Sequence, residues 1–501
     1  MWIVVLIALF SQTVAAAPNN VLLIIADDLG SDSLSGFNDD ESASFAMTPT
    51  INSLQAQGIS FTRYYAYSTC SPTRASILTG RYSFRTGVLA PEVNTLRSNE
   101  FTLPEALIAS GVIETRMANI GKWHLGSQAS SPNNIGGWPH FAGALGGGIS
   151  DYYSWPKVVN GVTTSAHNVY ATTDNVNDSI TWIDEQGGLP WFLWLSFNAP
   201  HTPLHWPPNE LHDFDGISDD GANSSRRHYE AMVQAMDTEI ARLLSNVNLA
   251  ETTVIFMGDN GTLGGVVQPP FPSTHSKGSV YEGGIRVPMI IAGAAVDSSL
   301  VGTSYDGLLH SCDLYATILE LFETSAEAMV PEEVVLDSRS FLPVLSGQDH
   351  ARSPAEIMVR NESGAVFGRG ITEGNFKYIL FDDGREEFYD VDADLPEATD
   401  LLLGALSTGE QTAFDALKER LAEYVNVPHA YGSGIDGSGD FNVELGWFAN
   451  EGFTLWYREL VGSGSWTAVS DQEFDDDGGQ VLILRDPTPP NGNAFYRVSS
   501  P

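Results

Sequence analysis

Two adjacent acidic residues stand directly after a short apolar run near the start of the chain. Residues 21–25 are all apolar, a pattern typical of a strand buried on both faces of a sheet, and Asp27 and Asp28 come just after them. Neighbouring carboxylates repel each other unless a cation or strong hydrogen-bond donors compensate their charge, so the pair indicates a metal site. Capping of a following helix is an equally good interpretation of the pair taken alone.

A second apolar run, residues 253–257, also ends in oxygen-bearing side chains. Asp259 and Asn260 follow it, between two glycines. Open α/β sheets bind ligands at the carboxyl ends of their strands, so we expect both acidic segments at one edge of a sheet. Four hard oxygen ligands that converge there would suit calcium or magnesium better than zinc.

The segment at residues 70–81 reads CSPTRASILTGR and places a cysteine where a helix is predicted to begin. Pro72 suits the first turn of this helix and Gly80 suits its end. Cys70 would then lie at a helix N-terminus, where unpaired N–H groups favour an anion. Arg74, in the same turn, could donate to two oxygens of a tetrahedral oxyanion. A small buried cysteine beside a surface arginine is the other interpretation.

Strands and helices alternate over the part of the chain that carries these residues. Residues 191–197 form a further buried apolar run, and between residues 229 and 247 Met232, Met236 and Ile240 recur at helical spacing. One stripe of that helix therefore faces a core. This alternation predicts an α/β fold with a large, mostly parallel central sheet sandwiched by helices.

The pattern of predicted elements changes in the C-terminal third of the sequence. Short strand-like pieces at 377–381 and 387–391 and a helical stretch at 410–424 predict a smaller α+β subdomain. YGSGIDGSGD at 431–440 has the composition of a flexible linker, and short strand-like pieces follow it. The predicted units are a signal peptide (1–17), an α/β domain (18–350), an α+β subdomain (351–428), a linker (429–440) and a small β module (441–501).

The first residues predict the compartment. An apolar stretch at residues 2–10 precedes small residues that suit a cleavage site, which is the pattern of a secretory signal peptide. The stretch is too short to span a membrane, and an uncleaved N-terminal anchor is the alternative. We therefore expect an exported protein, either secreted or periplasmic.

Composition excludes several classes of protein. Hydrophobic residues make up 43% of the 501 residues, which is too apolar for a disordered chain, and no later apolar run is long enough to cross a membrane. Asp and Glu number 63 against 24 Lys and Arg, so the formal charge of −39 argues against nucleic acid as a partner. With only Cys70 and Cys312, disulfides cannot be what stabilises the chain.

CSPTRASILTGR resembles the signature of type I, arylsulfatase-like sulfatases, in which the cysteine is converted after translation to formylglycine by a formylglycine-generating enzyme. The resemblance covers about residues 19–425 and implies an alkaline-phosphatase-like fold. Further segments resemble the family's motifs in the same order: GKWHLG (121–126), NAPHTPL (198–204), GDNG (258–261), KGSVYEGGIRVP (277–288), NFKYI (375–379) and EFYDVD (387–392).

The resemblance implies a metal site and a modified nucleophile. Asp27, Asp28, Asp259 and Asn260 would bind one divalent cation, most simply calcium, together with an oxygen of the modified Cys70. A hydrated aldehyde at position 70 offers two hydroxyl groups, of which one attacks sulfur. A carboxylate such as Asp259 would accept the proton of the attacking hydroxyl.

The resemblance also implies the residues that handle charge and protons. Arg74, Lys122 and Lys277 would stabilise charge on the sulfuryl oxygens. His201 and Lys277 would protonate the leaving oxygen, and His124 would take the proton whose loss expels sulfate. Only five lysines occur in the chain, and two of them fall in these motifs, which weakens the explanation that they are solvated surface residues.

The substrate is predicted less directly. Trp123, Trp155, His205, Trp206 and His275 lie within or near the motifs and are candidates for a sugar subsite, although tryptophans are more often packed in cores. Export and an appended β module suit the degradation of sulfated polysaccharides or their oligosaccharides. The competing interpretations are a phosphonate or phosphate ester hydrolase on the same fold, and an inactive protein that binds sulfated glycans.

Overall fold

The computed structural model describes residues 20–91, 94–214, 224–331, 334–350, 355–359, 368–381 and 383–425, and seven strands between residues 430 and 499. The predicted signal peptide, 1–17, lies outside the described residues. The N-terminal part of the described chain forms strands β1 (Asn20–Ala26), β2 (Gly58–Phe61), β3 (Tyr64–Tyr65), β4 (Met117–Gly121), β5 (His140–Gly143), β6 (Trp155–Val159), β7 (Val162–His167), β8 (Phe192–Ser196), β9 (Thr252–Gly258), β10 (Met289–Gly293), β11 (Thr303–Tyr305) and β12 (Leu309–His310).

Ten of these strands form one sheet in the order β11-β2-β10-β9-β1-β8-β4-β5-β6-β7. The five strands from β9 to β5 are mutually parallel, while β10 and β6 run against their neighbours. The short strands β3 and β12 pair separately. The sheet is therefore mixed but largely parallel, and the predicted α/β fold class is confirmed.

Helices cover both faces of this sheet. Successive residues of β1 alternate between two cores: Leu23 and Ile25 belong to one, and Leu22 and Ile24 to the other, all at 0% exposure. A strand buried on both faces must be apolar at every position, which explains the unbroken run. The helices are α1 (Pro49–Ala56), α2 (Cys70–Thr79), α3 (Ser83–Thr86), α4 (Leu103–Ser110), α5 (Ser131–Asn134), α6 (Ala171–Glu185), α7 (Ser224–Leu244), α8 (Glu282–Ile285), α9 (Asp313–Leu321) and α10 (Ala326–Met329).

A four-stranded antiparallel sheet and one helix form the C-terminal subdomain. The strands, in spatial order, are β13 (Ala355–Val359), β14 (Gly368–Glu373), β15 (Phe376–Phe381) and β16 (Glu386–Asp390). Helix α11 (Thr408–Val425) packs its Leu417 and Leu421 against Ile371, Tyr378 and Phe388 of the sheet. The other face of the sheet contributes to a core shared with the α/β domain, in which Ile379 and Tyr389 pack with Tyr65 and Ile285.

The last strands of the chain pair among themselves. One of them lies within the segment that was predicted to be a linker. Residues 430–435, assigned to the linker at 429–440, form a strand that pairs antiparallel with residues 441–445. Gly and Ser lower strand propensity but leave the backbone N–H and C=O free to pair, which is why composition alone was misleading. The strands are β17 (Ala430–Ile435), β18 (Phe441–Leu445), β19 (Thr454–Arg458), β20 (Thr467–Ala468), β21 (Glu473–Asp476), β22 (Leu482–Asp486) and β23 (Phe495–Ser499).

None of the helices in the described part of the chain is both long enough and apolar enough to cross a membrane.

Candidate active site

Four neighbouring parallel strands end at the same edge of the sheet, and each is followed by predicted site residues. The strands β9, β1, β8 and β4 lie side by side in this order. Asp259 follows β9, Asp27 follows β1, His201 lies in the loop after β8, and Lys122 follows β4. Parallel pairing therefore brings together residues that are far apart in the sequence. Asp27 and Asp259, for example, are 232 positions apart in the chain.

Helix α2 brings Cys70 and Arg74 to this edge. It begins at Cys70 and ends at Gly80, which adopts the left-handed conformation at φ 68° and donates its N–H to the carbonyl of Ser76. The predicted helix and both of its ends are confirmed. All ten residues of the helix are buried, so it is held on every side by the core. Burial raises the pKa of the Cys70 thiol to about 11, so an unmodified Cys70 would be a protonated, weak nucleophile.

Each of three buried carboxylates has a buried cationic partner. Nζ of Lys122 lies 2.6 Å from Oδ2 of Asp27, and Nζ of Lys277 lies 2.8 Å from Oδ1 of Asp28. The third pair joins Nη2 of Arg74 to Oδ2 of Asp259 at 2.7 Å. The six side chains are at most 5% exposed. The centre therefore holds equal numbers of acidic and basic groups in a dry environment, where charge interactions are strong.

The protonation equilibria at the centre follow these pairings. Burial opposes ionisation of Asp28, but Lys277 and His201 overcome this effect and lower the pKa of Asp28 far below its usual range. Burial and the nearby Asp27 instead raise the pKa of Asp259 to about 6, although Arg74 acts in the opposite direction. The pKa values of two carboxylates in one cluster are thus shifted in opposite directions, and strongly shifted pKa values are typical of functional sites.

Oxygen atoms without hydrogen-bond partners fit a cation at this centre. Among the described residues, Oδ1 of Asp27 and Oδ1 of Asn260 are buried and accept no hydrogen bond. One oxygen each of Asp27 and Asp28 and Sγ of Cys70 lie within 4.8 Å of one another. Nδ2 of Asn260 donates to Asp28 at 2.8 Å and so fixes the amide oxygen on the other side. Hard oxygen donors of this kind suit calcium or magnesium.

Two histidines flank the cluster. Nε2 of His201 lies 3.8 Å from Oδ2 of Asp28, and its side chain is 18% exposed. His124 is more deeply buried, and burial together with Lys122 lowers the pKa of its imidazole well below the usual value. A side chain on Gly147 would collide with the His124 ring, because a Cβ there would lie 2.4 Å from Cε1. The loop at 146–148 is therefore in close contact with both histidines.

The structure adds two residues that sequence reasoning missed. Ser196, the last residue of β8, accepts a hydrogen bond from the Arg74 guanidinium. The Tyr152 hydroxyl lies 2.6 Å from the carbonyl oxygen of Asn198 and 2.8 Å from that of His201, so it fixes the loop that carries His201. Ser196 is placed at the end of a buried strand, a position that the strand prediction already marked. Tyr152 stands outside every motif and had no signal in the sequence.

The candidate sugar subsite is corrected at three residues, Trp123, Trp155 and His275, of which the two tryptophans are buried. Trp123 is 3% exposed, packs in the core and donates its indole N–H to Ser131. Trp155 is also buried, with its N–H directed at the carbonyl of Val169. These rings are used for packing, as their apolar area favours.

The remaining three subsite candidates lie in two different parts of the structure. His275 stacks on Tyr281 with ring centroids 3.7 Å apart, and its Nδ1 faces the carbonyl of Pro396, so it serves the contact with the C-terminal subdomain. His205 and Trp206 are half-buried and lie in the loop after His201. His205 packs on Tyr152, at 4.3 Å between ring centroids, which leaves it next to the residue that fixes His201.

Comparison with known proteins agrees with this geometry. The profile of the sulfatase family matches residues 19–324, which is more than half of the chain. The chain belongs to the sulfatase family. Residues 19–324 include every residue of the cluster described above, so the family assignment and the buried centre concern the same part of the molecule.

Individual relatives are similar over most of the chain. Mouse arylsulfatase J is 29% identical over 388 residues, which are 70% of this chain but only 59% of that relative. A sulfatase of Formosa agariphila is 26% identical over 80% of this chain and 87% of its own. The crystal structure of Ps i-CgsB superimposes with a TM-score of 0.68 at 25% identity, covering 81% of this chain and 92% of that one. It has also been crystallised in complex with k-i-k-neocarrahexaose.

Proposed function

We propose that this protein is an exported sulfuric ester hydrolase that removes sulfate from extracellular sulfated polysaccharides or their oligosaccharides. The observation that carries the proposal is the meeting of Cys70 with three carboxylates and three buried cations at one edge of the sheet. The family supports hydrolysis of sulfate esters, and the oligosaccharide complex of Ps i-CgsB supports the class of substrate. We further propose that a formylglycine-generating enzyme modifies Cys70 during maturation.

One calcium ion would be held by Asp27, Asp28, Asp259 and Asn260, with an oxygen of the modified Cys70. When bound, the ion lowers the pKa of a hydroxyl group and attracts the sulfuryl oxygens. The hydrated aldehyde supplies one hydroxyl group for attack on sulfur and a second for the later release of sulfate. Asp259 would be ionised beside the cation, and we assign it to accept the proton of the attacking hydroxyl group.

The basic residues of the centre would bind the sulfuryl group. Arg74, Lys122 and Lys277 are buried and fixed by their carboxylate partners, so their charges are already in place before the substrate arrives. For Lys277, burial disfavours the charged form, but Asp28 overrides this effect and holds the pKa well above its usual value. Charges that need no rearrangement stabilise a transition state most effectively.

The two histidines have environments that suit opposite proton transfers. His201 is the more exposed of the two, so it lies on the side where an alcohol can leave, and we assign it to protonate the leaving oxygen together with Lys277. His124 has a pKa well below the usual value because of burial and Lys122, so it is neutral and able to accept a proton. We assign His124 to the step that releases sulfate.

The test is turnover of a nitrophenyl sulfate, and of k-i-k-neocarrahexaose, by protein that carries the aldehyde at position 70. We expect sulfate release that a chelator abolishes and calcium restores. Calcium at about 100 times its Kd should also stabilise the fold by about 2.7 kcal/mol against unfolding, visible as a higher Tm. Faster turnover of nitrophenyl phosphate would favour a phosphate ester hydrolase, and no turnover of either ester by modified protein would contradict the proposal.

A further inference from the structure

Three ionisable side chains meet in the interior where the C-terminal subdomain contacts the α/β domain. Nζ of Lys377, on β15, lies 3.1 Å from Oε1 of Glu282 and 2.7 Å from Oε1 of Glu397. Glu282 is the first residue of α8, and Glu397 follows β16. The three residues are at most 2% exposed. We call Glu282, Lys377 and Glu397 the buried triad.

A buried ionic cluster is poor evidence of stabilisation, because the charges lose their hydration and an apolar replacement of similar volume often serves as well. A cluster of this kind can instead fix the geometry of the groups that it joins. The triad makes specific contacts with backbone as well as with side chains, since Glu397 accepts a hydrogen bond from the backbone N–H of Glu282. The hydroxyl of Tyr65 donates to the other oxygen of Glu282 at 3.0 Å.

Helix α8, which the triad holds at its first residue, lies against two loops of the catalytic centre. The carbonyl of Gly284 accepts a hydrogen bond of 2.9 Å from the N–H of Gly261, the neighbour of Asn260. A Cβ on Gly284 would lie only 2.2 Å from the carbonyl oxygen of Ser279, so α8 is also in close contact with the segment that follows Lys277. The N–H of Lys277 in turn donates to the carbonyl of Thr262 at 3.0 Å.

These contacts form a continuous path from the C-terminal subdomain to the sulfate-binding lysine. We propose that Glu397 and Lys377 are positioning residues, which act through Glu282 and α8 to hold Lys277 in its place beside Asp28. This inference rests on the proposed role of Lys277. It assigns the C-terminal subdomain a part in catalysis, although the ion pairs that the described residues make with Asp27, Asp28 and Asp259 all come from the α/β domain.

The test is a double-mutant cycle between Glu397 and Lys277, measured as kcat/KM on a nitrophenyl sulfate. Glu397→Ala removes the acceptor of the Glu282 N–H, so we expect a loss of about tenfold in the otherwise native protein, because a small misplacement of a catalytic group has large effects on rate. In the Lys277→Ala background the same change should cost less than about twofold, since the group that it positions is already gone.

Two further variants separate positioning from general damage. Glu397→Gln keeps an oxygen that can accept the N–H, so it should restore activity to near the native value. Lys418→Met, on the same subdomain, removes a half-exposed lysine that pairs with Glu386, and it should change nothing in either background. If circular dichroism shows that Glu397→Ala does not fold, Glu397→Asp takes its place in the cycle, with an expected loss of about threefold.

The outcomes distinguish a failure of the catalytic role of Lys277 from a failure of the positioning role of Glu397. Full activity of Lys277→Ala would refute the catalytic role of Lys277, and with it the premise of the inference. If Lys277→Ala is impaired but the Glu397 change costs equally much in both backgrounds, only the positioning role is overturned. Native activity of a folded Glu397→Ala or Glu397→Asp protein would overturn it as well.

Discussion

Cys70 occupies the first position of a helix that is buried along its whole length, with two carboxylates and two cations around it. Cys70→Ser keeps the shape of this site, so the fold should be retained. A serine can attack sulfur, but its sulfate ester has no second hydroxyl group through which to release sulfate. We expect at most one turnover, with a sulfated residue 70 detected by peptide mass spectrometry after a stoichiometric burst.

Cys70→Ala is the matched control, because it removes the nucleophile at little structural cost in a helix. It should show neither burst nor turnover while its Tm stays near that of the native protein. Sustained turnover by a Cys70→Ser protein, shown by mass spectrometry to carry unmodified serine, would contradict the mechanism and favour attack by water.

At the residue scale, the motifs indicated which residues meet at the edge of the sheet, but not how the residues around them are arranged. Asp27 and Asp259 could be predicted because each directly follows a buried strand, and the carboxyl ends of parallel strands lie at one edge of the sheet, where ligands bind. Trp123 was wrong as a subsite residue because proximity to a motif in sequence does not tell which way a ring points, and burial of a large apolar ring is favourable. Tyr152 was missed because it acts on the backbone of His201 from a distant segment.

At the element scale, the pairing of β4 with β8 in the sheet depends on Gly121, the glycine that precedes Lys122. Gly121 has φ 103°, and a Cβ there would lie 1.9 Å from the carbonyl oxygen of Ser196. Gly121→Ala should therefore separate the two strands and displace Lys122. We expect a loss of stability of at least about 3 kcal/mol, from left-handed strain and overpacking together, measured by chemical denaturation.

Gly111→Ala is the control for backbone strain alone. Gly111 has a similar positive φ of 70° at the end of α4, but a Cβ there meets no atom within 4 Å. It should cost only about 1 kcal/mol and leave kcat unchanged. Equal destabilisation by the two substitutions would show that strand packing at Gly121 is not critical.

The buried triad gives the contact between subdomain and α/β domain a pH dependence. Burial and the neighbouring Glu282 raise the pKa of Glu397 to about 8, against the opposite effect of Lys377. A carboxyl with a raised pKa contributes stability below its ordinary value of 4.5, and this stability is lost as pH rises through about 8. Glu397→Gln cannot ionise, so between pH 5 and pH 9 its Tm should gain at least about 2 °C relative to the native protein.

The same comparison at Lys418 provides a reference, since Lys418→Met changes a surface pair and should follow the native pH profile. A Tm difference between Glu397→Gln and the native protein that is constant from pH 5 to pH 9 would mean that Glu397 titrates as in the unfolded chain.

Whole elements were predicted where burial in the core dictated the pattern of their apolar residues. The continuous apolar runs of β1, β8 and β9 result from burial on both faces, and the stripe of α7 from burial on one. By contrast, β7 is almost entirely exposed at the edge of the sheet, so no apolar pattern marks it. The strand at residues 430–435 escaped prediction for a related reason, because pairing of backbone groups leaves little trace in a Gly/Ser-rich sequence.

At the scale of the whole molecule, the formal charge of −39 should oppose the approach of a polyanionic substrate. The cations of the centre do not offset it, because Arg74, Lys122 and Lys277 are each neutralised by a carboxylate. Salt screens repulsion beyond about 10 Å at 0.1 M ionic strength. We therefore expect kcat/KM on a sulfated polysaccharide to rise about threefold or more from 10 to 200 mM NaCl.

A small aryl sulfate carries one charge and should respond by less than about twofold over the same range, because its interaction with the distant surface is weak. Measuring both substrates with the same enzyme sample separates repulsion at the surface from any effect of salt on the catalytic centre, which would change both rates alike. Identical salt profiles would therefore contradict the electrostatic argument. A polymer rate that falls with salt would instead reveal a local basic surface that attracts the chain before it reaches His201.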